Sequence, residues 1–358
     1  MAREDRQKLI KELQDERKSK VIAYLTSTRP GLEVQMAMDV VRLFFDHVQT
    51  FGVNPVEQID LVLHSNGGDG VVPWRLVTLL RERCKKFAVL VPHRAFSAAT
   101  LTALGADEIV MHPLAMLGPI DPTTANPFNP RDPTNQQQVL GISVEDVAAY
   151  VALVKEDVGI THEDELVQAF SVLAQMVHPL ALGNVKRTSQ QSRMMARKLL
   201  ALHMDRATEE HRMDQIVEAL SSRLYYHGHP INRREAKEDL NLKVQDCPQE
   251  VEDTLWSLYM EYEREMKLGD PYSPALELVA SGTDVEPQKI SFYGPQEPHR
   301  LAYLESETLT HVFLQHYELA GTRLPNGAIQ ATILSRSQGW TEEISHEPQG
   351  TANDGAAD

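Results

Sequence analysis

The stretch from Ile59 to Met116 decides the fold of this chain. It begins IDLVLHSNGGDG (59–70) and, after a helical gap, continues FAVLVPHRAFSAATLTALGADEIVM (87–111). Each apolar run has the length of a buried strand; the first ends in a double glycine and the second in a small-residue turn before a helix-like segment. Strands that alternate with helices predict an α/β fold, in which a parallel sheet is covered on both faces.

The two turns at the strand ends predict a site for acyl transfer. That reaction needs a hydroxyl at a fixed position and hydrogen-bond donors aimed at the oxygen that becomes negative. Ser97 would supply the hydroxyl. The N–H groups of Gly67 and Gly68, which lack a Cβ, and of Ala98 at the helix start would supply the donors. Read separately, the glycines are also typical of an ordinary turn and Ser97 of a helix N-cap.

Short motifs in a fixed order resemble the Clp protease/crotonase superfamily, and within it the signal peptide peptidase A-like and serine dehydrogenase proteinase-like proteins. The matching strings are HSNGG (64–68), AFSAA (95–99), ADEIVM (106–111), LGPIDP (117–122) and the closing segment INRREA (231–236) with LNL (240–242). The resemblance covers residues 20 to 245 approximately. It implies repeated β-β-α units with a parallel sheet and flanking helices.

The sequence departs from this family where the general base should be. The position of a Clp-type histidine falls near Pro119, and the third-member position falls near Leu224 to Tyr226. A Ser-His-Asp triad in that layout is therefore not expected. Signal peptide peptidases use a Ser-Lys dyad, so the resemblance favours a lysine. Lys186 lies in VHPLALGNVKRTSQQ (177–191), which is similar to the family's His-Pro, Gly, Lys order, and is the first candidate.

Other bases stay open on the sequence alone. Lys155 follows an apolar stretch with helical spacing, and either lysine can equally be a solvated helix residue. His93, His112 and His178 are further candidates, although a lone histidine is more often structural. Spacing does not decide among these residues.

The predicted activity is that of a serine peptidase. Its nucleophile is Ser97, its oxyanion donors are the N–H groups of Gly67, Gly68 and Ala98, its base is Lys186, and its substrate is a peptide or protein. One alternative is a crotonase-type enzyme that acts on an acyl thioester at the same oxyanion site without a serine nucleophile. Another is a non-catalytic scaffold that keeps the fold for assembly, which the missing histidine favours.

The composition of the chain argues against several classes of binding partner and cofactor. The formal net charge of −16 over 358 residues argues against nucleic acid, because phosphate binding relies on clustered lysine and arginine. The chain has no G-x-G-x-x-G or Walker motif and no Cys/His cluster with ligand spacing, so no cofactor or metal is expected. Its two cysteines, Cys84 and Cys247, do not make a disulfide framework.

The remaining segments predict the domain organisation. Residues 1–20 are charged throughout, lack the apolar core of a signal peptide and predict a short helix. Residues 21–245 form the peptidase domain, 246–340 a helix with a small C-terminal extension, and 341–358 a disordered tail. No run of 18 apolar residues occurs, so no membrane span and a cytoplasmic location are expected. The segment RMMARKLLALHM (193–204) is the predicted contact of a homo-oligomer.

Overall fold

A computed structural model of the chain describes residues 2–121, 123–124, 126–133, 139–223 and 229–343. Pro122, the segment from Leu224 to Tyr226 and residues 344–358 of the predicted tail lie outside this part of the chain. Within it, strands and helices alternate along the N-terminal half, as the apolar runs predict.

The described residues form fourteen strands and eleven α-helices. The strands are β1 (Lys20–Thr26), β2 (Val56–His64), β3 (Cys84–Val91), β4 (Arg94–Ala95), β5 (Glu108–Met111), β6 (Met116–Leu117), β7 (Thr123–Thr124), β8 (Ile142–Ser143), β9 (Ile231–Asn232), β10 (Val244–Gln245), β11 (Ser291–Tyr293), β12 (His299–Ser306), β13 (Thr310–Arg323) and β14 (Ile329–Glu342). The helices are α1 (Ala2–Arg17), α2 (Asp39–Gln49), α3 (Val72–Arg81), α4 (Ala98–Leu104), α5 (Val144–Ala152), α6 (Glu163–Met176), α7 (Pro179–Leu200), α8 (Arg206–Glu218), α9 (Arg233–Glu238), α10 (Gln249–Met266) and α11 (Pro274–Ala280). Two π-helical turns cover Leu153–Asp157 and Ala219–Arg223.

The central sheet has the order β10-β5-β3-β2-β1-β12-β13-β11, and β14 pairs with β13. Strands β10, β5, β3, β2 and β1 run parallel, in a register that aligns Leu61 with Ile22 on one side and Val89 on the other. The α/β class with a mainly parallel sheet is confirmed. Because parallel strands end at the same edge, the turns that follow β2 and β3 emerge side by side.

Both faces of the central strands are buried, which explains their continuous apolar runs. Alternate residues such as Leu61 belong to the same buried cluster as Phe44 of α2 and Leu199 of α7, while Val62 belongs to the cluster of Leu258 of α10 on the opposite face. Burying a leucine or phenylalanine side chain fully stabilises the fold by about 1.5–3 kcal/mol. The two helical layers therefore hold the sheet edge, and the turns on it, in place.

The segment VQMAMDVVRLFFDHVQTF (34–51) has the apolar periodicity of a helix, but α2 begins only at Asp39. The segment before it runs instead beside the glycine turn after β2, where Met36 forms a parallel bridge with Gly68. Met36 donates its N–H to Gly67 O at 2.8 Å, and its carbonyl accepts from Asp69 N at 2.9 Å. Tertiary pairing thus removes these residues from the helix.

The C-terminal strands continue the central sheet. Strand β12 lies antiparallel to β1, with Ala23 opposite Glu305. The buried carboxylate of Glu305 accepts from Arg6 Nε at 2.6 Å and from the Tyr262 hydroxyl at 2.8 Å. These contacts join α1, α10 and β12 in one layer. Strand β14 extends to Glu342, so the first residues assigned to the tail belong to a strand.

No single helix among the described residues is long and apolar enough to cross a membrane. Helices α6 and α7 are long and apolar enough only when taken together, and the pair is bent by 101°.

Candidate active site

The turns after β2 and β3 are hydrogen-bonded to each other at the edge of the sheet. Ser65 donates its N–H to Arg94 O at 3.1 Å, and Phe96 donates its N–H to Ser65 O at 3.0 Å. Ser65 and Ala95 form a parallel bridge. The structure therefore brings the double glycine and Ser97 together, as acyl transfer would require.

Ser97 has a strained backbone, with φ 52° and ψ −112°. This left-handed φ is uncommon for a residue with a Cβ, costs about 1–3 kcal/mol and is found most often at functional sites. The strain is held in place by Ala99 N, which donates to Phe96 O at 2.9 Å, and by Leu101 N, which donates to Ser97 O at 3.0 Å. A sharp strand-to-helix turn of this kind presents the serine side chain outward.

The Ser97 side chain does not act as a helix cap. It occupies the N-cap position of α4 but accepts no backbone N–H of that helix. An ordinary capping serine has extended backbone angles and bonds to the second or third helical N–H. Within the part of the chain that the structure describes, the Ser97 hydroxyl makes no hydrogen bond and is partly exposed. The hydroxyl is therefore uncommitted.

Gly67 lies directly against the Ser97 turn. A Cβ on Gly67 would come within 2.5 Å of Phe96 O and 2.9 Å of the Ser97 Cβ, so only glycine fits here. The Gly67 N–H, however, donates to Ser65 Oγ at 3.0 Å. The use of this N–H as an oxyanion donor stays a prediction, and it requires that the hydrogen bond to Ser65 Oγ be released.

Gly68 and Ala98 keep their N–H groups free. Neither group takes part in a hydrogen bond between described residues. A Cβ on Gly68 would lie 2.3 Å from Met36 O, so the backbone of the preceding segment closes over this residue. The Ala98 N–H lies 2.8 Å from the position that a Gly67 Cβ would occupy, which sets it beside the glycine turn. Ala98 directly follows Ser97, and Gly68 directly follows the glycine that packs against Ser97, so two free N–H groups lie on the turns that meet at this serine.

The lysines predicted as bases are not in contact with Ser97. Lys186 lies on α7 and Lys155 in the π-helical turn after α5, and both side chains are exposed. Neither forms an ion pair or hydrogen bond with a residue that the structure describes. The structure gives no reason to prefer one of them.

Each histidine considered as a base has a structural contact. His93 Nδ1 lies 3.0 Å from the Tyr259 hydroxyl, and burial lowers the pKa of His93. His112 stacks on Trp256 at 4.7 Å and accepts from Leu114 N, and burial lowers its pKa also. His178 caps α7 by accepting from Leu180 N at 3.1 Å. None of these contacts includes Ser97.

Two residues position the site without a motif that identifies them. Ser65 Oγ holds the Gly67 N–H and accepts from the Thr26 hydroxyl at 2.7 Å. Thr100 Oγ1 donates to Ala95 O at 2.7 Å and accepts from Gly118 N at 3.2 Å. Hydroxyls commonly bond to backbone groups within their own turn, as Ser65 does with Gly67. Each of the two residues also has a partner that is remote in sequence, Thr26 for Ser65 and Gly118 for Thr100. The glycine of LGPIDP is thereby fixed beneath the Ser97 turn.

Among the described residues, no group of three or more histidine, cysteine, aspartate and glutamate side chains is placed to hold a metal ion. The cation nearest in sequence to Ser97 is Arg94, whose guanidinium lies 5.6 Å from the Phe96 ring centroid and 3.4 Å from Asn66 Oδ1. The chemistry that the arrangement supports is therefore nucleophilic attack by a hydroxyl beside two backbone donors.

Comparison with known proteins gives partial matches. Two uncharacterized proteins of Methanocaldococcus jannaschii are each 42% identical over 64 residues, which is 18% of this chain and 22% of each relative. The chain thus spans about a fifth of the length of these curated relatives. A solved structure of a mutant 1510-N membrane-bound stomatin-specific protease is 18% identical and covers 38% of this chain and 62% of its own, with a TM-score of 0.25. A TM-score this low establishes no common architecture.

The family profile described as "ClpP-like SDH-type serine proteinase" matches residues 1–131. This range contains β1 to β6 and both turns of the candidate site. The part of the chain that carries Gly67, Gly68 and Ser97 is therefore identified as ClpP-like, of the SDH-type serine proteinase family.

Proposed function

We propose that this protein is a serine peptidase that cleaves peptide bonds in peptide or protein substrates. The observation that supports the proposal best is the strained Ser97, whose hydroxyl has no partner among the described residues and whose turn packs against the glycine turn that leads into Gly68. Storing strain at a residue that packing does not need is typical of a functional site. The ClpP-like match of residues 1–131 supports the same activity.

The proposed reaction follows the acyl-enzyme route. Ser97 Oγ attacks the carbonyl carbon of the scissile bond, and the N–H groups of Gly68 and Ala98 stabilise the oxygen that becomes negative. The C–N bond then breaks, the amine takes a proton and leaves, and water hydrolyses the ester on Ser97. The helix dipole of α4 adds to the positive potential at Ala98 N.

We propose Lys186 as the base that removes the Ser97 proton, with Lys155 as the second candidate. A lysine can act as a base only in its neutral form, which burial favours. Since both side chains are exposed in the single chain, the proposal requires that Lys186 become covered when substrate or a second copy binds.

The second candidate function is a non-catalytic scaffold. It is favoured by one observation: no side chain among the described residues hydrogen-bonds to the Ser97 hydroxyl. A triad or dyad normally places a base within about 2.6–3.2 Å of the nucleophile, although this distance is often longer in unliganded enzymes.

Labelling with a fluorophosphonate probe distinguishes the two functions. The wild-type protein should react, and Ser97→Ala should abolish the reaction without loss of thermal stability. Ser273→Ala is the matched control, because Ser273 also begins a helix but caps it by accepting from Leu276 N. Equal labelling of wild type and Ser97→Ala would remove Ser97 from its role. Failure of the wild type to react favours the scaffold.

We also propose that the protein assembles as a homo-oligomer, through helix α6 rather than through the predicted segment 193–204. Within the predicted segment 193–204, Met195, Leu199 and Leu200 are buried in the core, so they are unavailable to a partner. Exposed apolar side chains lie instead on α6, where Phe170 is 54% and Met176 is 78% exposed. Sedimentation should show a species larger than the 40.2 kDa monomer, and Phe170→Glu should dissociate it. A wild-type monomer at micromolar concentration would contradict the proposed assembly.

The cytoplasmic location of the protein stays a prediction.

A further inference from the structure

A groove of about 1110 Å³ separates the C-terminal end of α10 from the start of α11 and from strands β12 and β13. Pockets for small ligands are typically about 300–1,000 Å³ in volume. Three prolines, Pro271, Pro295 and Pro298, lie along its rim, and Leu276, which is 71% exposed, contributes an apolar surface. The size and the apolar rim suit a segment of extended chain better than a small metabolite.

One side of the groove carries two cations that have no carboxylate partner. Arg29 donates through Nε to Asp270 O at 2.6 Å and lies 5.2 Å from the Tyr272 ring centroid, yet it forms no ion pair with a described residue. Lys267 is exposed and likewise forms none. The other two cations of the groove are paired, Arg264 with Glu261 and Arg300 with Glu343. Arg29 and Lys267 are therefore available to an anion.

The acidic side chains of the groove do not neutralise these cations. Glu277 accepts from the hydroxyls of both Tyr272 and Tyr317, at 2.6 and 2.7 Å. Glu265 accepts from the Tyr303 hydroxyl at 3.3 Å, and Glu297 is exposed on the rim. The two tyrosine hydroxyls fix the charged Glu277 carboxylate in place, and no carboxylate that lines the groove forms an ion pair with Arg29 or Lys267 in the described part of the chain.

His299 is a polar group without a partner in the same groove. Its ring stacks on Tyr317 at 3.9 Å and meets Tyr272 edge to face at 4.8 Å. No hydrogen bond joins the ring to another described residue, and its Nε2 atom is buried. Burial lowers the pKa of His299 to about 4; the nearby Glu277 carboxylate raises this pKa, whereas Arg29 and Lys267 lower it. At neutral pH the ring is uncharged and can donate one N–H to a ligand.

We propose that this groove binds the C-terminal end of a peptide chain. Arg29 and Lys267 hold its carboxylate, His299 donates a hydrogen bond to the same group, and the last side chain packs against Tyr272 and Leu276. An arginine fork is well suited to a carboxylate, which it binds with two parallel hydrogen bonds. The choice of a peptide as the occupant rests on the proposed peptidase function.

One continuous segment connects the groove to the candidate active site. Pro30 O accepts from Tyr272 N at 2.8 Å at the groove, and Met36 bridges Gly68 at the oxyanion turn. Two residues before Pro30, the Thr28 hydroxyl lies 3.1 Å from Nε2 of His64, the last residue of β2. A chain from Arg29 to Met36 spans at most about 25 Å when fully extended. A substrate held by its end in the groove can therefore reach Ser97 with a bond fewer than about ten residues from that end.

The test measures binding of two dye-labelled hexapeptides that end in Phe-Leu and differ only in a free carboxylate or an amide. Fluorescence anisotropy is recorded with the Ser97→Ala protein, so that cleavage does not interfere and binding is measured independently of peptidase activity. We expect the free acid to bind at least tenfold more tightly than the amide. Arg29→Gln and Lys267→Gln should each reduce that preference severalfold, and His299→Gln should reduce it as well.

Arg42→Gln is the matched control, because Arg42 is exposed on α2 and pairs only with Asp46 of the same helix. It should keep the full preference for the free acid. Lys267 is exposed, so Lys267→Gln is expected to fold normally even if Arg29→Gln or His299→Gln does not. Equal affinity for the acid and the amide, or an Arg29→Gln protein that behaves like Arg42→Gln, would overturn the proposal. Competition by inorganic phosphate as strong as by the free acid would overturn the peptide as occupant.

Discussion

Gly67 and Ser97 are packed against each other across the two turns at the sheet edge, and a Cβ on Gly67 would lie 2.9 Å from the Cβ of Ser97. Both residues have positive φ, 94° and 52°. The glycine tolerates this conformation, whereas the serine is strained by it. Because Gly67 has no side chain, its backbone can lie close to the turn while Ser97 adopts the positive φ that presents its hydroxyl.

Gly67→Ala should destabilise the protein more than Gly52→Ala. Both glycines have positive φ, so each substitution costs about 1 kcal/mol of backbone strain. At Gly52 a Cβ meets nothing within 4 Å, but at Gly67 it overlaps Phe96 O. Overpacking adds about 1–3 kcal/mol at Gly67 only. Urea unfolding of the two variants measures the difference, and equal losses would show that the contact with the Ser97 turn relaxes freely.

Gly68→Val should lower peptidase activity by about 10²–10³, the usual cost of losing one oxyanion donor. The added side chain would overlap Met36 O and displace the backbone that carries the Gly68 N–H. Gly70→Val is the control, since a Cβ there meets nothing within 4 Å. Initial rates on a fluorogenic peptide compare the variants. Activity within about twofold of the Gly70→Val protein would mean that the loop is only a turn.

Substitution of the lysines should identify the base. If Lys186 removes the Ser97 proton, Lys186→Ala should lose activity by roughly 10³ or more, while Lys155→Ala changes little. The pH–rate profile of the wild type should rise with an apparent pKa well below about 10.4, the value for free lysine, because a base must be neutral to act. If neither lysine matters but Ser97 does, His112→Gln becomes the deciding variant.

The buried pair His47 and His311 should make the protein less stable as the pH falls. Nε2 of His47 lies 3.1 Å from Nδ1 of His311, and burial lowers the pKa of His47 from 6.5 to about 3. The unfolded chain therefore binds the proton more readily than the folded one. Stability is full above pH 6.5 and is lost progressively from there down to about pH 3.

Urea unfolding at neutral pH and near pH 5 measures this effect. A loss of about 1–2 kcal/mol is expected from His47 over that interval. His47→Gln should be less stable at neutral pH but should show a smaller loss on acidification, whereas the exposed His211→Gln should behave like wild type. An unchanged pH dependence in His47→Gln would mean that other groups cause it.

Local pattern predicts much of the framework because the strands are buried on both faces. The runs that end at His64 and Val91 are mainly apolar in their second halves, where their residues are buried, and such short runs are typical of interior strands or buried helices. The turn at Ser97 is also a local feature, since small residues surround it. The structure adds that Ser97 is strained and caps nothing, which distinguishes it from an ordinary helix-capping serine.

By itself the sequence determined the order of strands and helices, the α/β class and the two turns that meet at the sheet edge, because apolar periodicity and turn chemistry act over a few neighbouring residues. Only the tertiary structure decided which backbone N–H groups are free, since Ser65 occupies that of Gly67. It also placed Leu199 in the core rather than on a contact surface, and it paired β12 with β1. Each of these outcomes depends on which partner lies across the fold, and that choice is made by packing between segments remote in sequence.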